Sequence, residues 1–189
     1  MATLPVSRLT EEQYLEIERA AETKSEFYDG QMFSMAGGSP NHALLGNRIG
    51  ALLDRSVPPG CRVFNSELRI KVPAARLYTY PDCSVICGDL QYADGQPDVI
   101  LNPLLIVEVL SPSTEGYDRG KKFELSRTVP TFREYLIIHQ DRRHVEHYSK
   151  QDDGGWLLRD YTEATGVIAI ARLNIQIPLA DLYASSLTE

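Results

Sequence analysis

The run Leu104-Leu105-Ile106-Val107-Glu108-Val109-Leu110 is the most apolar stretch of the chain, and it carries one carboxylate at its centre. Burying an unpaired carboxylate costs several kcal/mol or more, so Glu108 needs a cation, a metal ion or a second group that shares a proton. The run is short and rich in branched residues. Pro103 opens it and Ser111-Pro112-Ser113-Thr114 closes it, which predicts a central strand covered on both faces rather than a helix. A carboxylate at the end of such a strand faces the crevice in which mixed α/β sheets hold their ligands.

The rest of the chain narrows what that crevice can serve. At 189 residues the sequence suits one domain, 1–189, with a full hydrophobic core. No stretch approaches the roughly 18 apolar residues of a membrane span. Met1-Ala2-Thr3-Leu4-Pro5 has no basic segment followed by an apolar one, so no secretory signal is read and a cytoplasmic location is expected. Cys61, Cys83 and Cys87 are odd in number, and two of them fall on one predicted strand. Buried free thiols are expected rather than a disulfide framework or a zinc site. The net charge of -7 argues against coating nucleic acid by bulk attraction. It leaves room for a nuclease whose acidic site carries a divalent ion, because the ion reverses the local sign.

The elements read as α/β. Thr10-Glu11-Glu12-Gln13 has capping-box spacing and starts a helix through about Arg19. Ser25 to Met35 alternates around Asp29-Gly30, a hairpin signal. Ser39 caps and Pro40 begins a long helix with Leu44, Leu45, Ile49, Leu52 and Leu53 as its apolar stripe; Pro58-Pro59-Gly60 ends it. Arg62 to Asn65 and Leu68 to Val72 read as a strand pair or one bent strand, and Tyr78 to Cys87 as a single strand. Gln91 to Asn102 reads as a loop. After the Glu108 strand come a helix from about Gly116 to Arg127, a strand from Glu134 to His139, a hairpin around Asp153-Gly154-Gly155, and a final alternating segment from Ile168 to Ile177. The order predicts a central mixed sheet flanked by helices, with an additional C-terminal hairpin.

Chemistry concentrates at few positions. Asp82 follows Pro81, which stiffens the backbone that carries it. If its strand neighbours that of Glu108, the two carboxylates lie within about 5 Å. Like charges that close resist double ionisation, and a divalent cation removes the penalty. Hard oxygens with water and a backbone carbonyl suit Mg²⁺ or Mn²⁺. Asp118 and Lys122, four residues apart on the following helix, share a face; Lys122 could neutralise a carboxylate, hold an attacking water or stabilise charge on a phosphate, with Asp118 supporting it. Tyr78 and Tyr80 alternate onto one strand face near Asp82, where they pack into the core or stack on a base. His144 and His147 would face opposite sides of a strand, so His139, His144 and His147 are not expected to form a metal site. Gly37-Gly38 lacks the lysine and spacing of a phosphate loop.

Pro81-Asp82, the stretch from Glu108 through Thr114, Asp118, Lys122 and Glu134-Tyr135 together resemble the Uma-type bacterial endonucleases of the PD-(D/E)XK restriction-endonuclease-like superfamily. The resemblance runs from about Glu26 to Tyr148 and is most specific from Glu108 to Lys122. It implies a restriction-endonuclease-like core and a metal-dependent phosphodiesterase. Asp82, Glu108 and the carbonyl of Val109 would be metal ligands. Where the superfamily motif has a lysine, two residues after the glutamate, this chain has Leu110, so the resemblance assigns that role to Lys122. The family's Glu-x-x-x-Gly step matches Glu26 through Gly30, which brings Glu26 to the same pocket as a catalytic candidate. The helix-start histidine matches His42, a candidate substrate contact with Tyr80. By the same resemblance a homodimer is expected, supported on a sheet edge or the Arg143 to Trp156 hairpin. The expected activity is hydrolysis of DNA phosphodiesters. The competing expectation is a non-catalytic nucleic-acid-binding or protein-interaction module that keeps the nuclease fold.

Overall fold

The computed structural model describes residues 8–35 and 37–184; the N-terminal segment read for a leader lies outside them. Thr10 caps α1 (Glu11–Ala20) with both bonds of the capping box in place. β1 (Ser25–Tyr28) and β2 (Gln31–Ser34) turn at Asp29 and Gly30, whose φ angles of 43° and 89° are those of a tight primed hairpin turn. Ser39 caps α2 (Pro40–Asp54), accepting from the amide of His42 at 3.1 Å, and Pro40 is its first residue. Leu45, Ile49, Leu52 and Leu53 of the expected stripe are buried, while Leu44 is half-buried.

Three segments depart from the sequence expectation. β3 (Cys61–Asn65) and β4 (Arg69–Val72) do not pair; the side chain of Asn65 caps the amide of Glu67 and turns the chain from one sheet to another. Tyr78 to Cys87 is not one strand. β5 (Leu77–Thr79) and β6 (Cys83–Cys87) belong to different sheets, and Tyr80-Pro81-Asp82 is the step between them, where Pro81 has no amide to continue a ladder. The expected loop at 91–102 contains a hairpin, β7 (Tyr92–Ala93) and β8 (Gln96–Ile100). Its Pro97 is tolerated because β4 pairs only with Val99 and Ile100.

Beyond these come β9 (Leu105–Val109), α3 (Glu115–Tyr117), a π-helical turn (Asp118–Lys122), α4 (Phe123–Ser126), β10 (Glu134–Ile138), β11 (Val145–Lys150) and β12 (Trp156–Tyr161). The chain then forms β13 (Val167–Ile170), β14 (Ile175–Pro178) and α5 (Leu179–Leu182). The mixed α/β architecture is as expected, but its strands divide between two six-stranded sheets, ordered β2-β1-β5-β4-β8-β7 and β12-β11-β10-β9-β6-β3; the hairpin around Asp153-Gly154-Gly155 is β11-β12 of the second sheet, and the final alternating segment forms a further C-terminal hairpin, β13-β14. β9 runs parallel to β10 and antiparallel to β6. Among the described residues, no helix is long and apolar enough to cross a membrane.

The period of two along β9 decides what each residue meets. Leu105, Val107 and Val109 enter a core shared with α2, α5 and the β13-β14 hairpin. Ile106 and Leu110 enter a second core with Val72 and Leu77 of the first sheet and with Phe123, Phe132 and Tyr135. Glu108 shares their side, so it points between the sheets. Phe123, the first residue of α4, stacks on Tyr135 with centroids 5.1 Å apart and meets Phe132 and Trp156 edge-on or tilted in the same cluster. That aromatic wall fixes the residue immediately after Lys122.

The cysteine expectation is corrected. Cys61 and Cys87 are opposed across the β3/β6 ladder with Cα atoms 4.0 Å apart and form a disulfide, leaving Cys83 as a buried free thiol. The two are 26 residues apart in sequence, and only the antiparallel register sets them opposite each other.

Phe132 is fully buried in the aromatic wall. Phe132→Ala is expected to lower unfolding free energy by about 3–5 kcal/mol, read from urea midpoints at unchanged slope.

Candidate active site

In the β6/β9 ladder Cys83 faces Val107, and one step further out the same register sets Asp82 beside Glu108. Asp82 has left its strand at the Pro81 step, and its Oδ2 accepts the amide of Val109 at 2.7 Å. The ammonium of Lys122 reaches this place from the π turn. Its Nζ lies 2.8 Å from Glu108 Oε1, 2.9 Å from Glu26 Oε1 and 3.7 Å from Asp118 Oδ1. The Glu108 contact is an ion pair without the alignment of a hydrogen bond. Glu26 comes from the first sheet and also accepts the hydroxyl of Thr79 at 2.5 Å. One ammonium therefore bridges the two sheets.

The electrostatics follow from burial. Glu108, Asp118 and Lys122 are 4%, 4% and 3% exposed. Burial pushes the Glu108 carboxyl well above the usual carboxylate range; Lys122 opposes this, while Asp118 and Asp82 add to it. Asp118 is raised for the same first reason, again against the pull of Lys122. Burial alone would make the lysine less basic, but Glu108, Glu26 and Asp118 outweigh it and hold Lys122 charged, well above its ordinary pKa. Carboxyl groups outnumber the cation between them, and the raised Glu108 and Asp118 are the ones driven toward the neutral acid until a further cation compensates them.

His42 stands on the solvent side. Its Nε2 is 3.4 Å from Asp82 Oδ2. The Asp82 bond, working against burial, raises its basicity. Gly38 makes this placement possible: a Cβ there would sit 2.6 Å from His42 Nδ1. A cleft of about 490 Å³ between α2 and β3, floored by Gly46 and Gly50, ends on Asp82.

The structure thus gathers Glu26, His42, Asp82, Glu108, Val109, Asp118 and Lys122 in one place. Tyr80 stands apart as a correction: its hydroxyl accepts from Arg69 at 2.6 Å and donates to Glu18 at 2.8 Å, so this buried ring is committed to an internal network. Glu67 pairs with Lys24 at the surface, and Lys121 with Glu124. Thr79, Gly38 and Gln140, which holds the carbonyl of Leu110 at 2.7 Å, escaped the sequence reading. Only Gly38, standing directly before the Ser39-Pro40 cap, carried a signal that could have exposed it. The histidine expectation also changes. His139 and His144 stack on each other near Glu146, while His147 turns to Glu134 at 2.8 Å.

Residues 11–180 match the model of the Uma2 family, described as "Putative restriction endonuclease". Uncharacterized protein slr1290 of Synechocystis is 40% identical over 95% of this chain and 93% of its own length. Uncharacterized protein sll1609 of the same organism is 39% identical over 80% and 86%. Among solved structures, a protein of Anabaena variabilis titled a "putative nuclease belonging to DUF820" superposes with a TM-score of 0.76, covering 93% of this chain and 98% of that one at 18% identity. That last likeness is one of fold.

Two measurements probe the cluster. Lys122→Met strands the buried Glu108 and Asp118 and the half-buried Glu26, and breaking one side of a buried pair costs about 3–5 kcal/mol. A carboxyl whose folded pKa lies above its unfolded value loses stability as pH rises between the two, and removing the ammonium raises Glu108 further. The deficit of Lys122→Met against wild type in urea is therefore expected to be larger at about pH 8 than at about pH 5. Asp82→Asn removes the main cause of the raised His42 basicity, so the His42 ring, followed by NMR, is expected to titrate at lower pH than in wild type.

Proposed function

The chain belongs to the Uma2 family, and from that premise we propose that it is a Mg²⁺- or Mn²⁺-dependent endonuclease hydrolysing phosphodiester bonds in DNA. One observation carries this reading: carboxyl groups from both sheets converge on a single ammonium and outnumber it, a surplus of oxygen donors that a divalent ion would hold ionised. The donors are hard oxygens, the set such ions prefer.

In this reading Asp82, Glu108 and the Val109 carbonyl hold the ion. When bound, it would acidify a water and polarise a phosphate oxygen. Lys122 stabilises negative charge on the attacking oxygen or the phosphate. Glu26, steadied by Thr79, and Asp118 hold that ammonium in place. His42, at the solvent-facing side beside Asp82, contacts the substrate phosphate. The ion also answers the net charge of -7, which would otherwise repel DNA. A homodimer completes the reading; β12 leaves a sheet edge with Leu157 and Leu158 exposed, on which a second copy could pair.

A second reading has its own support. Glu108, Asp118 and Lys122 are almost wholly closed from solvent, as in a structural ion cluster, which favours a binding module that keeps the nuclease fold without cutting.

Calorimetry with Mn²⁺ and a cleavage assay on single- and double-stranded DNA separate the two. Wild type is expected to bind Mn²⁺ and cut, and Asp82→Ala and Glu108→Ala to lose both. Lys122→Gln, checked for folding by circular dichroism, should retain the ion and cut about 10²–10³-fold more slowly. No Mn²⁺ heat and no cutting by wild type would leave the module; equal cutting by Glu108→Ala would mark a contaminant.

A further inference from the structure

Two strands away from Glu108, on the same face of the second sheet, lies a separate cluster that the pocket does not use. Glu108 faces Ile137 of β10, and Ile137 faces Glu146 of β11. His139 and His144 stand at the two ends of the turn joining those strands. The amide of His139 donates to the carbonyl of His144 at 3.0 Å, and the two rings stack with centroids 4.3 Å apart. His139 and Glu146 are buried, and His144 is half-buried. One ligand atom from each of the three residues lies within 4.8 Å of the others.

We propose that His139, His144 and Glu146 form a transition-metal site, suited to Zn²⁺ or Co²⁺ and distinct from the carboxylate pocket. Three observations support it. First, the cluster already grips a cation: the Arg119 guanidinium bonds Glu146 Oε1 and, at 2.7 Å, His139 Nε2, and Arg142 approaches that same nitrogen at 3.5 Å. Toward Arg119 this nitrogen must accept, the state in which an imidazole ligates metal; Glu146 Oε1, 3.3 Å from the same nitrogen, is the group a protonated ring would bond instead. Second, His144 turns its Nε2 to the carboxylate of Asp160 at 2.6 Å, while His139 Nδ1 has the exposed Asp141 only at ion-pair range, 3.6 Å. Metal-bound histidines are held and oriented by such outer carboxylates. Third, two imidazoles with one carboxylate are a borderline N/O set that leaves a fourth position for water.

Occupation requires a rearrangement: the two rings stack 11° from parallel, so one imidazole must turn for both lone pairs to meet at an ion. A tetrahedral ion with bonds of about 2.1 Å holds its ligands roughly 3.4 Å apart, so the cluster must contract by about an ångström. Arg119 must withdraw, and its contact with Glu115 at 3.0 Å gives the guanidinium a place to remain. The ion and Arg119 therefore compete, one cation replacing another. This site does not depend on the nuclease reading.

The test titrates Co²⁺ into an Asp82→Asn/Glu108→Gln protein, whose pocket is disabled, following calorimetry and the visible absorption that reports low-coordinate Co²⁺. One equivalent is expected to bind, and adding His139→Ala and His144→Ala in that background should abolish binding. No uptake by the parent, or uptake that survives loss of both histidines, overturns the proposal. Arg119→Gln is the second variant, because it leaves every ligand in place. It should tighten Co²⁺ binding roughly tenfold by removing the competitor. Unchanged affinity would mean that the ion does not sit where the guanidinium does, and the proposal fails.

Discussion

The ammonium of Lys122 is the contact around which the two large sheets are arranged. It meets the half-buried Glu26 from the first sheet, and the buried Glu108 from the second and Asp118 from its own turn. Such a cluster contributes little net stability, because desolvating the ions cancels much of their attraction. Its hold comes from the alternative: any partner removed leaves a buried charge with nothing to answer it. The sheets are therefore specified relative to each other by a polar contact, with the apolar contacts of Ile106, Leu110, Val72 and Leu77 supplying the adhesion.

Holding that ammonium in place requires rigid surroundings. Phe123 follows Lys122 directly and is clamped among Phe132, Tyr135 and Trp156. The hydroxyl of Tyr135 donates to the carbonyl of Asp118 at 2.9 Å, tying the start of the π turn to β10. On the other side, Pro81 marks the point where the chain leaves one sheet for the other. Asp82, the residue just past it, is therefore free of ladder duty and can bond the amide of Val109.

Local signals were the legible ones. The capping box at Thr10, the Asp29-Gly30 turn and the Ser39-Pro40 start all concern residues within a few positions of each other, and each forms as read. Glu108 stood out because its charge contradicts its neighbours, and Asp82 because of the proline before it. What escaped depends on distant register. The opposition of Cys61 and Cys87 follows only once β3 and β6 are known to run antiparallel in one sheet. The separation of β5 from β6 was masked by continuous apolar alternation across Pro81. The meeting of His139 and His144 was missed because strand periodicity was applied only to His144 and His147, while the turn between β10 and β11 is what brings the two rings together.

The π turn itself has an evolutionary corollary. It accommodates one residue more than a regular helical turn, and such bulges behave as single insertions in an otherwise ordinary helix. Deleting a residue such as Gly120 would restore standard bonding but rotate all that precedes it by about 100° relative to Phe123 and its aromatic neighbours. Away from Asp118 and Lys122, substitutions along this segment can be absorbed side chain by side chain. A change in its length cannot, so between α3 and α4 the spacing of residues is held as firmly as the identity of those two.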